Sequence, residues 1–74
     1  MSMKEKDESA VQLGIRIAQL RIARGVSQEK MAEICDMNRT YYGCIERGEK
    51  AATIITIDKI AKGFGITKSE LFDY

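Results

Sequence analysis

The 74-residue sequence contains no proline, no histidine and no tryptophan, and only two of its residues are cysteines. Without histidine, two thiolates alone do not complete the usual four-ligand zinc site, so no metal is expected. Cys35 and Cys44, together with the lack of a secretory signal, predict reduced thiols and a cytoplasmic location. No apolar run approaches the ~20 residues that span a membrane, so no membrane partner is expected.

The absence of histidine also argues against an enzyme, because it leaves no nucleophilic side chain with an evident base partner. A chain this short leaves little room for a pocket, so no cofactor and no small-molecule effector are expected. The net charge of +1 is far from that of a non-specific nucleic-acid coat, so an anionic partner must meet a local basic patch. With disulfide and metal set aside, self-association is the remaining way to stabilise so small a domain.

Apolar residues recur at helical spacing, and no stretch alternates with the period of two that strands require. The polar, aperiodic start predicts a flexible segment at residues 1–8, followed by a single domain at residues 9–74. Start and stop residues divide that domain into five short helices, so the predicted class is all-α. The predicted N-caps are Ser27, Asn38, Thr53 and Thr67, and the predicted glycine ends are Gly25, Gly48 and Gly65.

Two of these helices, Gln28–Cys35 and Arg39–Glu46, are separated by three residues, which is the outline of a helix-turn-helix. The segment SQEKMAEICDMNRTYYGCIERGE resembles the helix-turn-helix of the Cro and lambda-repressor superfamily, and the likeness extends over roughly residues 13–72. Within it, NRTYYGCIERG is similar to the recognition helix of restriction–modification controller proteins, which are dimeric regulators. The resemblance implies a compact five-helix, lambda-repressor-like DNA-binding domain.

Adjacent residues on a helix point about 100° apart, so Tyr41 and Tyr42 cannot share a face. Tyr42 falls beside Ile45 on the side turned toward the preceding helix. We therefore predict that Tyr42 is buried, with its hydroxyl reaching the edge of the core for a hydrogen bond, and that Tyr41 is a surface residue.

The opposite side of this helix carries side chains that suit a DNA duplex. Arg39 can donate two hydrogen bonds to a guanine edge, and Thr40 can meet a base or a phosphate. An Arg-Thr pair beside an exposed tyrosine is, however, often only a solvated helix face, and basic residues nearby are often ordinary surface charges. The resemblance implies DNA contacts from Gln28, Asn38, Arg39, Thr40, Tyr41, Cys44, Arg47 and Lys50.

Other roles also follow from the resemblance. Arg21 and Glu46 are expected to form a structural ion pair that braces the first helix against the third. Asp36 stands at the turn where the family commonly has glycine, so a left-handed aspartate is expected. The predicted dimer interface consists of Ile55, Ile66, Leu71, Phe72 and Tyr74.

The resulting functional prediction is a homodimeric transcription regulator that binds a pseudo-palindromic operator in its own control region, with RNA polymerase as a further possible partner. A phage-type repressor or an antitoxin would use the same chemistry. A protein-interaction module that has lost DNA binding is the alternative from another class. A second apolar stripe on the first helix, formed by Val11, Ile15, Ala18 and Ile22, is either scattered exposed aliphatics or a protein-contact surface.

Overall fold

The computed structural model describes residues 7–74, and this part of the chain forms five α-helices without a strand. The predicted all-α class is confirmed. The first helix begins at Glu8, where the Asp7 side chain accepts a hydrogen bond from Ser9 N at 2.8 Å, so the domain starts slightly before residue 9. The rest of the predicted N-terminal segment lies outside the described residues. The helices are α1 (Glu8–Ala23), α2 (Gln28–Ile34), α3 (Arg39–Glu46), α4 (Ile54–Phe64) and α5 (Lys68–Leu71).

The predicted caps form by local chemistry. At the start of α2, the Ser27 hydroxyl accepts a hydrogen bond from Lys30 N at 3.0 Å, which satisfies a donor that has no partner within the helix. Thr67, a predicted N-cap, forms a reciprocal capping box with Glu70 at the start of α5. The remaining predicted caps, Asn38 and Thr53, accept from the same relative position in α3 and α4.

The turn between α2 and α3 depends on one residue in a left-handed conformation. Asp36 has a φ of 57° and is the only non-glycine residue with positive φ in the described part of the chain. This conformation lets Met37 N close a hydrogen bond of 2.8 Å to Ala32 O, which turns the chain sharply out of α2. The backbone oxygen of Asp36 accepts a hydrogen bond from Lys59 Nζ at 3.2 Å, which ties the turn to α4.

The hydrophobic core lies where α1 and α2 pack against α3, with α4 and α5 closing the other side. Burying each large apolar side chain contributes on the order of 1.5–3 kcal/mol, so a small number of residues dominates the stability. The largest fully buried side chains are Tyr42, Phe64, Ile17, Met31, Ile45, Ile60 and Leu71.

Two apolar positions differ from expectation. Leu71 was predicted in the dimer interface, but its side chain is completely buried within the chain, so it has no surface to offer a partner. By helical spacing Ile54 shares one face of α4 with Ile57 and Phe64, which predicts burial, but Ile54 is 77% exposed because it lies in the first turn of the helix, beyond the core. Both differences arise from how far each helix extends past its neighbours, which a periodic pattern does not specify.

Gly14 determines how closely α1 approaches the end of α3. A Cβ at this position would lie 2.4 Å from the backbone oxygens of both Ile45 and Glu46, so any side chain would push the helices apart. This close approach places the last turn of α3 within reach of Arg21 on α1.

The apolar stripe on α1 is only partly exposed. Val11 packs over Gly48, where an added Cβ would lie 2.7 Å from Val11 Cγ2, and Ala18 is half-buried. Ile15 and Ile22 remain exposed. In this stripe Val11 supports the loop after α3, Ala18 is half-buried, and the two isoleucines contact solvent.

Candidate nucleic-acid interface

The two sides of α3 differ in burial as the helical phase predicts. Tyr42, Ile45 and Glu46 are buried, whereas Arg39 and Thr40 are exposed. The predicted division of the two tyrosines is confirmed for Tyr42, which has no exposed surface. The side of α3 that carries Arg39 and Thr40 therefore faces solvent.

The expected hydrogen bond of Tyr42 is not present. Its hydroxyl is buried beside the Glu46 carboxylate and the Arg21 guanidinium, but neither lies in hydrogen-bonding geometry with it, so the predicted hydrogen bond at the edge of the core is wrong for residues 7–74. Burial raises the pKa of Tyr42, and the neighbouring Glu46 carboxylate raises it further. The phenol therefore stays neutral, and the depth of the ring in the core explains why its hydroxyl does not reach solvent.

Tyr41 is half-buried and packs against the edge of the core. Its hydroxyl lies 3.4 Å from Thr56 Oγ1, and Thr53 Oγ1 donates to the same Thr56 oxygen at 3.0 Å. Tyr41 thus connects α3 to the first turn of α4, so it is less free to contact DNA than the sequence suggested.

The predicted pair of Arg21 and Glu46 is present and well formed. Arg21 Nε and Nη2 donate to the two Glu46 oxygens at 2.7 and 3.2 Å, and Arg21 Nη1 donates to Val26 O at 2.9 Å. Burial alone would raise the pKa of Glu46, but hydrogen bonds from Arg21 and other neighbours outweigh it and lower the pKa below its ordinary value. This bidentate pair holds the last turn of α3 against α1.

Gln28 joins this pair, which the sequence did not reveal. Gln28 Nε2 donates to Glu46 Oε1 at 3.0 Å, so the carboxylate binds α1, α2 and α3 together. Gln28 and Glu46 are 18 residues apart, and only the angle between α2 and α3 brings them into contact. The only feature of the sequence that indicates this contact is a glutamine at the first position of α2 together with a glutamate at the end of α3.

Arg47 lies at the end of the exposed side of α3. Its Nε forms an ion pair with Glu49 Oε2 at 3.1 Å, and its Nη2 lies 3.7 Å from Cys44 Sγ. The hydrogen bond to Glu49 raises the pKa of Arg47. Because Arg47 already has an acidic neighbour, a phosphate must compete with Glu49 for the guanidinium.

The other predicted contacts are exposed, except Cys44, which is half-buried. Within residues 7–74, neither Arg39 nor Lys50 forms an ion pair, so both cations are available to an anionic partner. Asn38 uses Oδ1 to accept a hydrogen bond from Tyr41 N at 3.1 Å, which leaves its side-chain amide group as a donor.

These side chains supply two kinds of hydrogen-bond donor, one suited to base edges and one suited to phosphates. Arg39 and Thr40 lie at the N-terminal end of α3, where a helix placed in a major groove contacts base edges. Arg47 lies at the other end of α3 and Lys50 lies in the loop beyond it, and cations at these positions suit phosphates. The described residues contain no cluster of acidic, cysteine or histidine side chains that could hold a metal ion, and none of their helices is long and apolar enough to cross a membrane.

Together, the five-helix order and the exposed third helix define a helix-turn-helix protein. A helix-turn-helix family model matches residues 17–71, so the chain belongs to that family. The chain is 39% identical over 62 residues to control protein C.BamHI of Bacillus amyloliquefaciens, an alignment covering 82% of this chain and 76% of the relative.

Solved structures show the same likeness. The restriction–modification controller protein C.AhdI of Aeromonas hydrophila superimposes with a TM-score of 0.85 at 36% identity, covering 89% of this chain and 100% of that one. The controller protein C.Esp1396I, solved as a tetramer in complex with its natural 35 base-pair operator, superimposes with a TM-score of 0.84 at 26% identity over 92% of this chain and 90% of that one. The resemblance to controller proteins is therefore confirmed.

Proposed function

We propose that this protein is a sequence-specific, DNA-binding transcription regulator of the controller type, which binds a pseudo-palindromic operator near its own gene as a homodimer. The observation that carries the proposal is the exposed side of α3, where Arg39 and Thr40 project from a helix whose other side is fixed in the core. A cytoplasmic location belongs to the proposal, because regulation of transcription requires access to the chromosome.

The buried side of α3 supports this function because it fixes the position of the exposed side. A base-reading helix must hold its side chains in one register relative to the groove. Here Ile45 fills the core, and the Arg21–Glu46 pair fastens the last turn to α1. Arg39 and Thr40 therefore extend from a rigid element.

A homodimer would use the apolar surface near the C-terminus. Ile55 and Tyr74 are 73% and 60% exposed, Phe72 is also exposed, and Ile66 is half-buried. The rings of Phe72 and Tyr74 lie 6.4 Å apart at their centroids, and both border a cleft of about 430 Å³. Exposed aromatic residues around such a cleft are typical of protein–protein contacts.

A symmetric dimer of this kind places two copies of α3 about 34 Å apart, which is one turn of the duplex. The operator would then consist of two half-sites related by approximate two-fold symmetry. The solved complex of C.Esp1396I, a tetramer on its natural 35 base-pair operator, supports operator binding by more than one copy of a protein of this fold.

Fluorescence anisotropy tests the proposal. The duplex immediately upstream of this protein's gene is compared with a scrambled duplex across a salt series. We expect tighter binding to the upstream duplex, and a steep loss of affinity with salt because lysine and arginine displace counterions from phosphates. Failure to bind either duplex at low salt would overturn the proposal.

The dimer is tested separately by analytical ultracentrifugation. Ile55→Lys should shift the protein to monomer and weaken operator binding. Ile22→Lys is the matched control, since Ile22 is 65% exposed on α1 and lies outside the proposed interface. If the two variants dissociate equally, or neither does, the interface is placed wrongly.

A further inference from the structure

The contact between Gln28 and Glu46 fixes which end of the Gln28 amide faces outward. Nε2 donates to Glu46 Oε1 at 3.0 Å, so the amide nitrogen is turned toward the interior of the domain. The amide oxygen lies on the other side, over Gly43, where an added Cβ would be 3.5 Å from Gln28 Oε1. Gly43 is buried and Gln28 is half-buried, so the amide oxygen is the part of the glutamine that covers this glycine, between Arg39 and Arg47 along α3.

The carboxylate that fixes Gln28 is itself held firmly. The Glu46 side chain is 3% exposed, and Arg21 donates to both of its oxygens. Since Arg21 also donates to Val26 O, its guanidinium has little freedom to rotate. The orientation of Gln28 is therefore imposed by a chain of contacts that begins on α1.

An outward amide oxygen selects its partners. Phosphate oxygens only accept hydrogen bonds, so they cannot bind to it. In the major groove, the amino groups of adenine and cytosine are donors, and they are the partners that an acceptor can distinguish. Arg47 Nη1 would lie 2.9 Å from a Cβ added at Gly43. The Arg47 guanidinium, a donor, therefore lies beside the Gln28 amide oxygen, an acceptor.

We propose that Glu46 is a positioning residue for base recognition, which holds the Gln28 amide so that its oxygen accepts a hydrogen bond from a base amino group. This rests on the proposed DNA-binding function. Glu46 thereby has a second role besides bracing the helices. Because Gly43 has no side chain, it leaves room for the Gln28 amide oxygen and the Arg47 guanidinium.

A double-mutant cycle tests the proposal on duplexes that the wild-type protein selects from a random pool. Glu46→Gln keeps the shape of the side chain, but it leaves a single acceptor oxygen for which Arg21 and Gln28 Nε2 must compete, so it weakens the hold on the Gln28 amide. Gln28→Ala removes the amide itself. We expect each variant to lose a similar part of the preference for the selected duplex over its single-base variants, about 5-fold or more at one position, and the double variant to lose no more.

The matched control is Glu33→Gln, which removes the same charge from an exposed residue of α2 that pairs with Lys30. It should leave the base preference unchanged.

Since Gln28 is uncharged, the salt dependence should also stay the same in Gln28→Ala. If Glu46→Gln melts at a lower temperature but retains the full base preference, Glu46 is only a brace and the inference is wrong. If wild-type protein selects no duplex, the proposed function fails instead.

A second measurement needs no variant of Glu46 and remains decisive if that variant does not fold. The side-chain amide protons of Gln28 are followed by NMR in the wild-type protein as the pH is lowered through the titration of Glu46. They should shift with that titration, whereas those of Gln12 and Gln19, which are exposed on α1, should not. If Gln28 behaves like these two controls, its amide is not held by Glu46 and the proposal is overturned.

Discussion

The two sides of α3 show how one short helix combines two opposite requirements. The inner side is buried, with Tyr42 and Ile45 almost without exposed surface, and its charged residue Glu46 is bound by Arg21 and Gln28. The outer side carries Arg39 and Thr40, which are exposed. The comparison teaches that stability and the proposed recognition are assigned largely to different residues of the same helix, with Glu46 as the proposed link between them. Apart from Glu46, a substitution on one side should leave the other property intact.

The largest effect is expected from the inner side. Ile45→Ala removes a side chain that is 1% exposed and leaves a cavity, so it should lower the free energy of unfolding by roughly 2–5 kcal/mol. The neighbouring substitution Cys44→Ala, at a half-exposed position, should change it by less than about 0.5 kcal/mol. Urea unfolding of both variants measures the difference. Equal effects would show that the helix is not divided in this way.

The next effect concerns Glu46. Breaking a fully buried ion pair costs about 3–5 kcal/mol, and because Arg21 is 16% exposed we expect Glu46→Gln to cost about 2–3 kcal/mol at pH 7. The fold lowers the pKa of Glu46 below its ordinary value of 4.5. The stabilisation is thus fully present above about pH 4.5, and it is lost as the pH falls through the folded-state pKa.

Urea unfolding of wild type and Glu46→Gln from pH 7 down to pH 3 measures this dependence. The stability difference between the two proteins should be constant in the upper part of the range and shrink in the lower part. A difference that does not change with pH would mean that the Glu46 carboxylate does not titrate with a lowered pKa in the folded protein.

A smaller effect is expected at the turn that joins the two helices. Asp36 has a φ of 57°, which glycine adopts without cost, so Asp36→Gly should raise the free energy of unfolding by up to about 1 kcal/mol. Glu33→Gly, in the regular part of α2, should lower it by about 1 kcal/mol. Thermal unfolding compares them, and a loss of stability in both would exclude relief of backbone strain at Asp36.

The smallest effect is expected for Tyr42→Phe, which removes a buried hydroxyl without a hydrogen-bond partner among residues 7–74. Stability at pH 7 should be unchanged or higher by up to about 1 kcal/mol. Because the fold raises the pKa of Tyr42, wild type should lose stability as the pH rises past 10, its ordinary value, and the variant should lose less. A marked loss in the variant at pH 7 would show that the hydroxyl is bonded in the folded protein.

Much of the inner side could be predicted from sequence because it depends on local rules. Ser27 and Asn38 cap helices through contacts three residues away, and the phase of α3 alone assigns Tyr42 to the core. Contacts between distant residues could not be predicted. The Gln28–Glu46 bond and the burial of Leu71 depend on the angles and offsets at which helices pack, which a pattern of residue types does not encode.

The most direct test of the division between the two sides is Arg39→Ala. Its thermal stability is measured together with its preference for the upstream duplex over scrambled DNA by fluorescence anisotropy. Stability should stay within about 0.5 kcal/mol of wild type, while the preference should fall by about 1–3 kcal/mol, since the proposed bidentate contact of Arg39 with a base would be lost. An Arg39→Ala protein that is equally stable and keeps its full preference would contradict the assignment of operator reading to the exposed side of α3.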